Sequence, residues 1–318
     1  MMTEIRKAFI ANPSSALLNA LRPYQDRIEV VTPAQAEAQP DLMGQIEIAY
    51  GWLSGDQIAR ATRLRWLQTG GAGVEGLIPH VQSERLTLTN ARGVGAAPIT
   101  EHMFGMLLMV TRRLAQAWDR QKTGQWNGEG LGDRVGLLSG KTLGVLGVGA
   151  IGGHSAQVGK AFGMRVVGLR RGGGAHPAVE RMYTPEERAA FLAECDVVMN
   201  TLPLTPATRG FLGRAEFDAL APGAVLINTG RGGTVDTDAL LDALNSGRLG
   251  AALLDVTDPE PLPPGHPLWT TENVYLTPHY SGSRPDYDAR ADAIFLDNLR
   301  RYLAGEALAN VVDKREGY

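Results

Sequence analysis

The chain has 318 residues, a length typical of two domains that can each bury a core of their own. Hydrophobic residues make up 44% and charged residues 20% of the chain, and a formal net charge of -3 indicates no basic surface for nucleic acid or an anionic membrane. The one cysteine, Cys195, excludes an intrachain disulfide, and its place at the entry to an apolar run favours a buried side chain over a nucleophile.

The first third of the chain alternates short apolar segments with helical patterns. We predict strands at 7–11, 28–31, 46–49, 65–68 and 86–89, and helices such as 14–21 and 54–61 between them. This alternation predicts a parallel sheet with helices on both faces. The start of the chain has no long apolar segment, and no later helical stretch reaches the ~20 residues of a membrane span, so we expect a cytoplasmic protein with no membrane partner.

A long helix is predicted next, from about Pro98 to Gln121, with apolar residues at helical spacing between Met103 and Val110. A polar, Gly-rich loop at 123–132 separates it from a second alternating series. Strands of that series are predicted at 142–146, 165–169, 197–201, 224–228, 250–255 and 274–277. A last helix at about 286–303 ends before a glycine. The fold class predicted is α/β, with two Rossmann-like or flavodoxin-like parallel-sheet domains and a cleft between them.

The segment Gly147-x-Gly149-x-x-Gly152 joins an apolar strand to a helical pattern. In this setting the first glycine permits a tight turn, the second admits a pyrophosphate, and the third lets the helix pack against the strand. The amides that open the helix, including those of Ala150 and Ile151, then bind the phosphates. The pattern predicts a dinucleotide site, and its alternative is a Gly-rich turn in another α/β fold.

The strand after this turn ends in Arg170 and Arg171, where a site for NAD normally has an acid that binds the ribose 2′-OH. Two guanidinium groups can bind a 2′-phosphate, which a carboxylate would repel. We therefore predict that NADP is preferred and that NAD is possible. The alternative is that both arginines coat a solvent-exposed edge.

Three later strands each end near a reactive side chain: Arg231, Glu260 and His279. Because the carboxyl ends of parallel strands share one edge, these groups are expected to meet near the glycine turn. A His can protonate the alkoxide that forms when a ketone accepts a hydride, and a neighbouring carboxylate favours the imidazolium form. An Arg can bind a substrate carboxylate. Singly, each has an ordinary alternative: an ion pair with Asp236 for Arg231, a solvated charge for Glu260, and a cap or core position for His279.

In family order, five motifs resemble those of the D-isomer-specific 2-hydroxyacid dehydrogenases. They are Gly-Val-Leu-Gly-Val-Gly-Ala-Ile-Gly-Gly from 144, Pro-Leu-Thr-Pro-Ala-Thr-Arg-Gly from 203, Ile-Asn-Thr-Gly-Arg-Gly-Gly from 227, Leu-Asp-Val-x-x-x-Glu-Pro from 254, and Thr-Pro-His from 277. The resemblance covers nearly the whole chain. It implies a substrate (catalytic) domain of 1–95 with 286–318 and an NAD(P)-binding Rossmann domain of 96–285.

This resemblance also implies roles for single residues. Arg231 is expected to bind the substrate's carboxylate and carbonyl, and His279 to act as the acid–base paired with Glu260. Ala72 and Gly73 lie in a Gly-rich loop that resembles the family's substrate loop, and their amides are expected to complete the site for the substrate carboxylate. The alternative is a plain strand-to-helix turn. The expected cofactor-binding residues further include Leu202, Thr229, Gly230, Arg231, Asp255, His279, Ser281 and Gly282. We predict no metal site.

The resemblance thus predicts a reductase of a small 2-keto acid, glyoxylate or hydroxypyruvate first, that forms the D-2-hydroxy acid. The family's members are usually dimers, and we expect a homodimer in which the apolar stripe of 103–110 takes part, although an intramolecular core would give the same pattern. Formate dehydrogenases of the family have Gln at the position of Glu260, which argues against that activity. Two alternatives are a non-catalytic NAD(P)-sensing regulatory protein and an enzyme acting on another small anion.

Overall fold

The computed structural model describes residues 5–318, so the first four residues of the predicted substrate domain lie outside the described residues. The chain divides into two compact units. The first unit contains the chain up to Val94 together with Pro285–Tyr318, and the second unit is Gly95–Arg284. Among the described residues, no helix has both the length and the apolar character that crossing a membrane requires.

The first unit is built on a five-stranded sheet. Its elements are β1 (Arg6–Ile10), α1 (Ser15–Leu21), β2 (Ile28–Val31), α2 (Pro33–Ala38), β3 (Ile46–Tyr50), α3 (Gly55–Arg60), β4 (Trp66–Gln68) and β5 (Thr87–Thr89). The strands lie in the order β2-β1-β3-β4-β5, and all neighbours are parallel. Ser14 and Ser54 cap the helices α1 and α3 by accepting a hydrogen bond from a backbone amide of the first turn.

The second unit opens with two helices and continues with a seven-stranded sheet. Its elements are α4 (Ala96–Thr111), α5 (Leu114–Lys122), β6 (Thr142–Leu146), α6 (Ala150–Ala161), β7 (Arg165–Leu169), β8 (Arg181–Tyr183), α7 (Arg188–Ala193), β9 (Val197–Asn200), α8 (Arg214–Ala219), β10 (Ala224–Asn228), α9 (Thr237–Asn245), β11 (Leu249–Leu254) and β12 (Val274–Leu276). The strand order is β12-β11-β10-β9-β6-β7-β8, again parallel throughout. Both predicted parallel sheets are confirmed.

The last helix, α10 (Tyr287–Ala304), belongs to the first unit. Its Phe295 is fully buried and stacks on Tyr50 of β3 with ring centroids 4.3 Å apart. The helix ends at Gly305, whose φ of +72° is the left-handed conformation that glycine adopts without strain. Seven short 3₁₀ turns complete the described secondary structure: Arg22–Tyr24, Pro40–Gln45, Ile78–His80, Gly132–Arg134, Pro185–Glu187, Gly232–Thr234 and Pro267–Trp269.

The prediction of one helix from Pro98 to Gln121 is wrong, because the chain breaks between α4 and α5. The break is at Arg113, which has a left-handed φ of +57°. No glycine or proline marks this position, so the apolar periodicity runs across it without a signal. The predicted apolar stripe packs inside the second unit, where Met103 and Leu107 are fully buried. It therefore forms part of an intramolecular core.

Candidate active site

The glycine turn after β6 has the geometry that a bound pyrophosphate needs. Gly147 has a φ of +86°, and its amide donates to the carbonyl of Leu169 at 2.9 Å. A Cβ on Gly152 would lie 2.2 Å from the carbonyl oxygen of Gly147, so only glycine lets α6 approach this closely. A Cβ on Gly149 would meet nothing within 4 Å, which leaves open space where α6 begins at Ala150. These residues fit a dinucleotide at the helix N-terminus.

The turn lies where the strand order of the second sheet reverses, between β6 and β9. Ligands of open α/β sheets bind at this kind of switch point. The hydroxyl of Thr201, just after β9, lies 3.0 Å from the carbonyl of Leu146 and 2.8 Å from that of Gly147. Leu202 follows and is buried, with its amide donating to the side chain of Asn200 at 3.1 Å. The end of β9 is thus fixed against the glycine turn.

Arg170, directly after β7, reaches back toward the same turn. Its Nε donates to the carbonyl of Gly173, and its Nη1 lies 3.5 Å from the carbonyl of Val148 inside the turn. Arg171 follows and is exposed. A guanidinium group therefore lies beside the predicted dinucleotide site, at the strand end where the ribose of a dinucleotide binds.

The loop after β10 holds Arg231 through a buried network of amides. The Asn228 side chain accepts from the Gly230 amide at 3.1 Å and donates to the Arg231 carbonyl at 3.2 Å. Asn200 donates to Asn228 at 3.2 Å and to Thr234 at 2.7 Å, and Thr234 donates to the same Arg231 carbonyl. Asn200 is the last residue of β9 and Asn228 the last residue of β10, and a polar amide that ends a buried apolar strand is the sequence signal for this network. Asp236, the alternative partner of Arg231, caps α9 by accepting from the Ala239 amide at 3.0 Å.

The structure brings Glu260 and His279 into direct contact. The Nδ1 atom of His279 lies 2.5 Å from Oε1 of Glu260, and the two side chains are 47% and 40% exposed. With Nδ1 directed at the carboxylate, Nε2 is the ring nitrogen that can exchange a proton with a substrate. His279 has a left-handed φ of +49°, which is uncommon for a residue other than glycine. Such a conformation persists only where the surroundings hold it.

Asp255, after β11, supplies much of that support. Its carboxylate accepts from the Thr277 hydroxyl at 2.7 Å and from the amides of Tyr280 at 3.2 Å and Ser281 at 3.1 Å. Its carbonyl accepts from the amide of His279 at 2.9 Å. Asp255 is only 2% exposed. Besides its predicted position beside the cofactor, it holds the loop that carries His279 through these hydrogen bonds.

Two residues of α4, His102 and Met103, lie against these loops, and neither is among the predicted site residues. His102 Nε2 is 3.0 Å from the hydroxyl of Thr277, and Met103 Sδ is 3.2 Å from the hydroxyl of Thr229. The hydroxyl of Thr229 therefore points at the helix. Gly282 follows the His279 loop, and Ile99 of α4 lies 3.7 Å from the position of a Cβ there. Histidine and methionine within a helical pattern are typical of a helix core, so the pattern does not indicate a contact with the site loops.

The Gly-rich loop of the first unit follows β4. Its carbonyls are engaged, since Gly71 accepts from the Ala91 amide at 2.9 Å and Ala72 accepts from the Asn90 side chain at 2.8 Å. Among residues 5–318, no backbone carbonyl accepts from the amide of Ala72 or Gly73. The loop is therefore held by hydrogen bonds to its C=O groups, and the N–H groups of Ala72 and Gly73 are suited to an anion.

Cys195 is confirmed as a buried side chain. It is 1% exposed, and its Sγ donates to the carbonyl of Phe191 at 3.1 Å. Burial raises the pKa of the thiol far above its usual range, so the thiolate is not formed near neutral pH. The residue takes no part in the site.

Comparison with known proteins points to one family. The NAD-binding-domain model of D-isomer specific 2-hydroxyacid dehydrogenases matches residues 104–281. Glyoxylate/hydroxypyruvate reductase B of Yersinia pestis is 33% identical over 286 residues, 86% of this chain and 87% of that protein. The crystal structure of an NADPH-dependent glyoxylate/hydroxypyruvate reductase from Sinorhizobium meliloti, with NADP and sulfate, has a TM-score of 0.84 at 29% identity and covers 98% of this chain and 100% of that one. A D-isomer specific 2-hydroxyacid dehydrogenase from Xanthobacter autotrophicus, solved with NADPH, gives 0.85 at 28% identity, covering 99% and 100%.

Proposed function

Because the chain belongs to the D-isomer-specific 2-hydroxyacid dehydrogenase family, we propose that it reduces a small 2-keto acid, glyoxylate or hydroxypyruvate first, to the D-2-hydroxy acid. The observation that carries the proposal is the contact of 2.5 Å between His279 and Glu260 at the carboxyl edge of the sheet that holds the glycine turn. An acid–base pair at that edge serves a reaction in which a hydride and a proton are added to a carbonyl.

We assign cofactor binding to 96–285 and substrate binding to 1–95 with 286–318. The family's NAD-binding-domain match falls within the first of these ranges. The substrate carboxylate is held by Arg231, whose guanidinium can form two parallel hydrogen bonds to it, and by the amides of Ala72 and Gly73. The same guanidinium polarises the adjacent carbonyl, which prepares C2 for attack.

In this proposal the proton comes from the chain and the hydride from the cofactor. Gly147, Gly149 and the first amides of α6 would hold NADPH, which would supply the hydride for C2 while the carbonyl π electrons move onto oxygen. His279, protonated at the start, gives the Nε2 proton to that oxygen and becomes neutral. Glu260 orients the ring by accepting a hydrogen bond from Nδ1, and its negative charge lies beside the positive charge of the ring before transfer. The products are the 2-hydroxy acid and NADP⁺, and His279 regains its proton from solvent.

NADP is the proposed cofactor, with NAD possible. Arg170 and Arg171 occupy the strand end where the 2′-phosphate distinguishes the two, and two of the similar solved structures contain NADP or NADPH. The lining positions proposed for it are those of the glycine turn and Leu202, Thr229, Gly230, Arg231, Asp255, His279, Ser281 and Gly282.

A homodimer is also proposed. The segment 114–137 exposes large apolar side chains: Leu114, Trp118, Trp126, Val135 and Leu137 are 44%, 62%, 103%, 39% and 68% exposed. Apolar and aromatic side chains of this kind are enriched in protein interfaces. We name this stretch the exposed apolar segment and expect the partner to be a second copy of the chain.

The direct test follows absorbance at 340 nm with the purified protein, NADPH or NADH, and glyoxylate, hydroxypyruvate and pyruvate in turn. Cofactor oxidation that depends on one of these keto acids supports the proposal. Cofactor binding without oxidation on the whole panel would overturn it and favour a regulatory protein or an enzyme for another anion.

A further inference from the structure

Helix α4 contacts helix α6 and two of the loops at the carboxyl edge of the second sheet. The hydroxyl of Thr100 lies 3.0 Å from that of Ser155 on α6, and Met103 receives the hydroxyl of Thr229. Between them, His102 Nε2 lies 3.0 Å from the hydroxyl of Thr277, in the loop that carries His279. The side chain of His102 is 13% exposed, so this contact is shielded from water.

The direction of these hydrogen bonds follows from the number of protons available. Thr277 has one hydroxyl proton and donates it to Oδ1 of Asp255 at 2.7 Å. Toward His102 the hydroxyl can therefore only accept, so Nε2 of His102 must carry a proton. The resulting chain runs from His102 to Thr277 to Asp255, and donors in series polarise one another.

Asp255 connects this chain of hydrogen bonds to the segment that carries His279. Its carboxylate also accepts the amides of Tyr280 and Ser281, and its carbonyl accepts the amide of His279. The ring of His102 meets that of Tyr280 edge-on, with centroids 5.1 Å apart, and its Nε2 lies 3.8 Å from Oδ1 of Asp255. Residues on both sides of His279 thus donate hydrogen bonds to one buried carboxylate, and one of them, Thr277, also contacts His102.

We propose that His102 is a positioning residue for the reaction, which acts through Thr277 and Asp255 to hold His279 in its left-handed conformation against Glu260. His102 does not touch the substrate in this proposal and exchanges no proton with it. The inference rests on the proposed function in one respect, which is that His279 acts as the acid–base residue.

Two variants of the same position separate hydrogen bonding from packing. His102→Phe keeps a ring of similar size but removes the donor, whereas His102→Gln keeps an N–H near the position of Nε2. We expect His102→Phe to lower kcat about 10- to 100-fold, since small displacements of a reacting group have effects of this size, with KM for the keto acid and the Kd of NADPH little changed. His102→Gln should recover most of kcat.

A second readout does not depend on turnover. Hydrogen exchange of the Tyr280 and Ser281 amides should be faster in His102→Phe and close to wild type in His102→Gln, because both amides donate to Asp255. If the wild type is active and His102→Phe has the same kcat and the same exchange rates, the inference is overturned. It is also overturned if His102→Phe and His102→Gln lose the same fraction of kcat, because packing alone would then explain the effect. An inactive wild type with the expected exchange pattern would count against the proposed function and leave the positioning role supported.

Discussion

In the proposed mechanism, Glu260 acts on His279 through its negative charge as well as through its hydrogen bond. Glu260→Gln keeps an oxygen near Nδ1 of His279 but removes the negative charge that lies beside the ring. We expect kcat to fall, because the ring loses its charged partner, while the Kd of NADPH stays unchanged. The fall should be smaller than the contribution of general acid–base catalysis as a whole, which is about 10²- to 10⁴-fold. Steady-state kinetics and a fluorescence titration measure the two quantities. Glu272→Gln, at an exposed carboxylate of the same unit, is the control, and an equal kcat in both variants would contradict the role of Glu260.

Arg170 tests the choice of cofactor. Arg170→Asp replaces a charge-assisted hydrogen bond to the 2′-phosphate by repulsion, so the ratio of kcat/KM for NADPH over NADH should fall about 10- to 100-fold. Kinetics with each cofactor measure it. Arg63→Asp makes the same charge change at an exposed turn of the first unit and should leave the ratio unchanged. If Arg170→Asp leaves the ratio of kcat/KM for NADPH over NADH unchanged, this arginine is a surface charge that does not select the cofactor.

At the scale of single residues, the sequence predicts which side chains follow the ends of strands, but it does not predict which side chains of a helix contact the site. Arg231, Glu260 and His279 each follow an apolar strand, and parallel strands place such residues at one edge. The carboxylate–imidazole contact was predicted as a family feature and is present at 2.5 Å. His102 lies within a helical pattern, where spacing gives the face of a helix but not which loop packs on it. Its contact with Thr277 therefore required the structure.

The glycine turn allows its two requirements, close packing and space for a phosphate, to be tested separately. Gly152→Ala places a Cβ 2.2 Å from the Gly147 carbonyl, so the free energy of unfolding should fall by about 1–3 kcal/mol. Gly149→Ala meets no atom within 4 Å and should keep its stability, yet bind NADPH more weakly because the methyl group enters the phosphate space. Thermal denaturation and fluorescence titration measure these effects. Equal stability losses in both variants would contradict the assignment.

At the scale of elements, the described strands other than β8 match predicted apolar runs, whereas β8 and the break in the predicted long helix have no signal in the sequence. Buried parallel strands such as β6 and β9 are continuous apolar runs, which the sequence displays directly. Strand β8 has three residues at the edge of its sheet, begins with the exposed Arg181, and has no such run. The break at Arg113 comes from a backbone conformation that arginine seldom adopts, and composition does not encode it.

At the scale of the whole molecule, the exposed apolar segment predicts the oligomeric state. We expect a mass near twice 34.1 kDa by size-exclusion chromatography with light scattering. Trp118→Glu places a charge on a side chain that is 62% exposed and should shift the protein toward the monomer, since charges are depleted from interface cores. Trp269→Glu, at a tryptophan 55% exposed elsewhere in the second unit, is the matched control. A wild-type monomer, or a dimer unaffected by Trp118→Glu, would contradict this interface.

The division of labour between the domains was predicted through the family resemblance and stays a proposal, as does the cleft between them. Chain order alone shows two series of strands, but it does not show that α10 returns to the first sheet, where Phe295 stacks on Tyr50. That pairing joins residues 245 positions apart, a separation at which local periodicity carries no signal.

The acid–base role of His279 is tested by comparing the wild type with His279→Ala in the 340 nm assay, with NADPH and the best keto acid of the panel. We expect the wild type to oxidise NADPH and the variant to do so about 10²- to 10⁴-fold more slowly, while its Kd for NADPH is unchanged. A variant that turns over at the wild-type rate would remove His279 from the proposed mechanism.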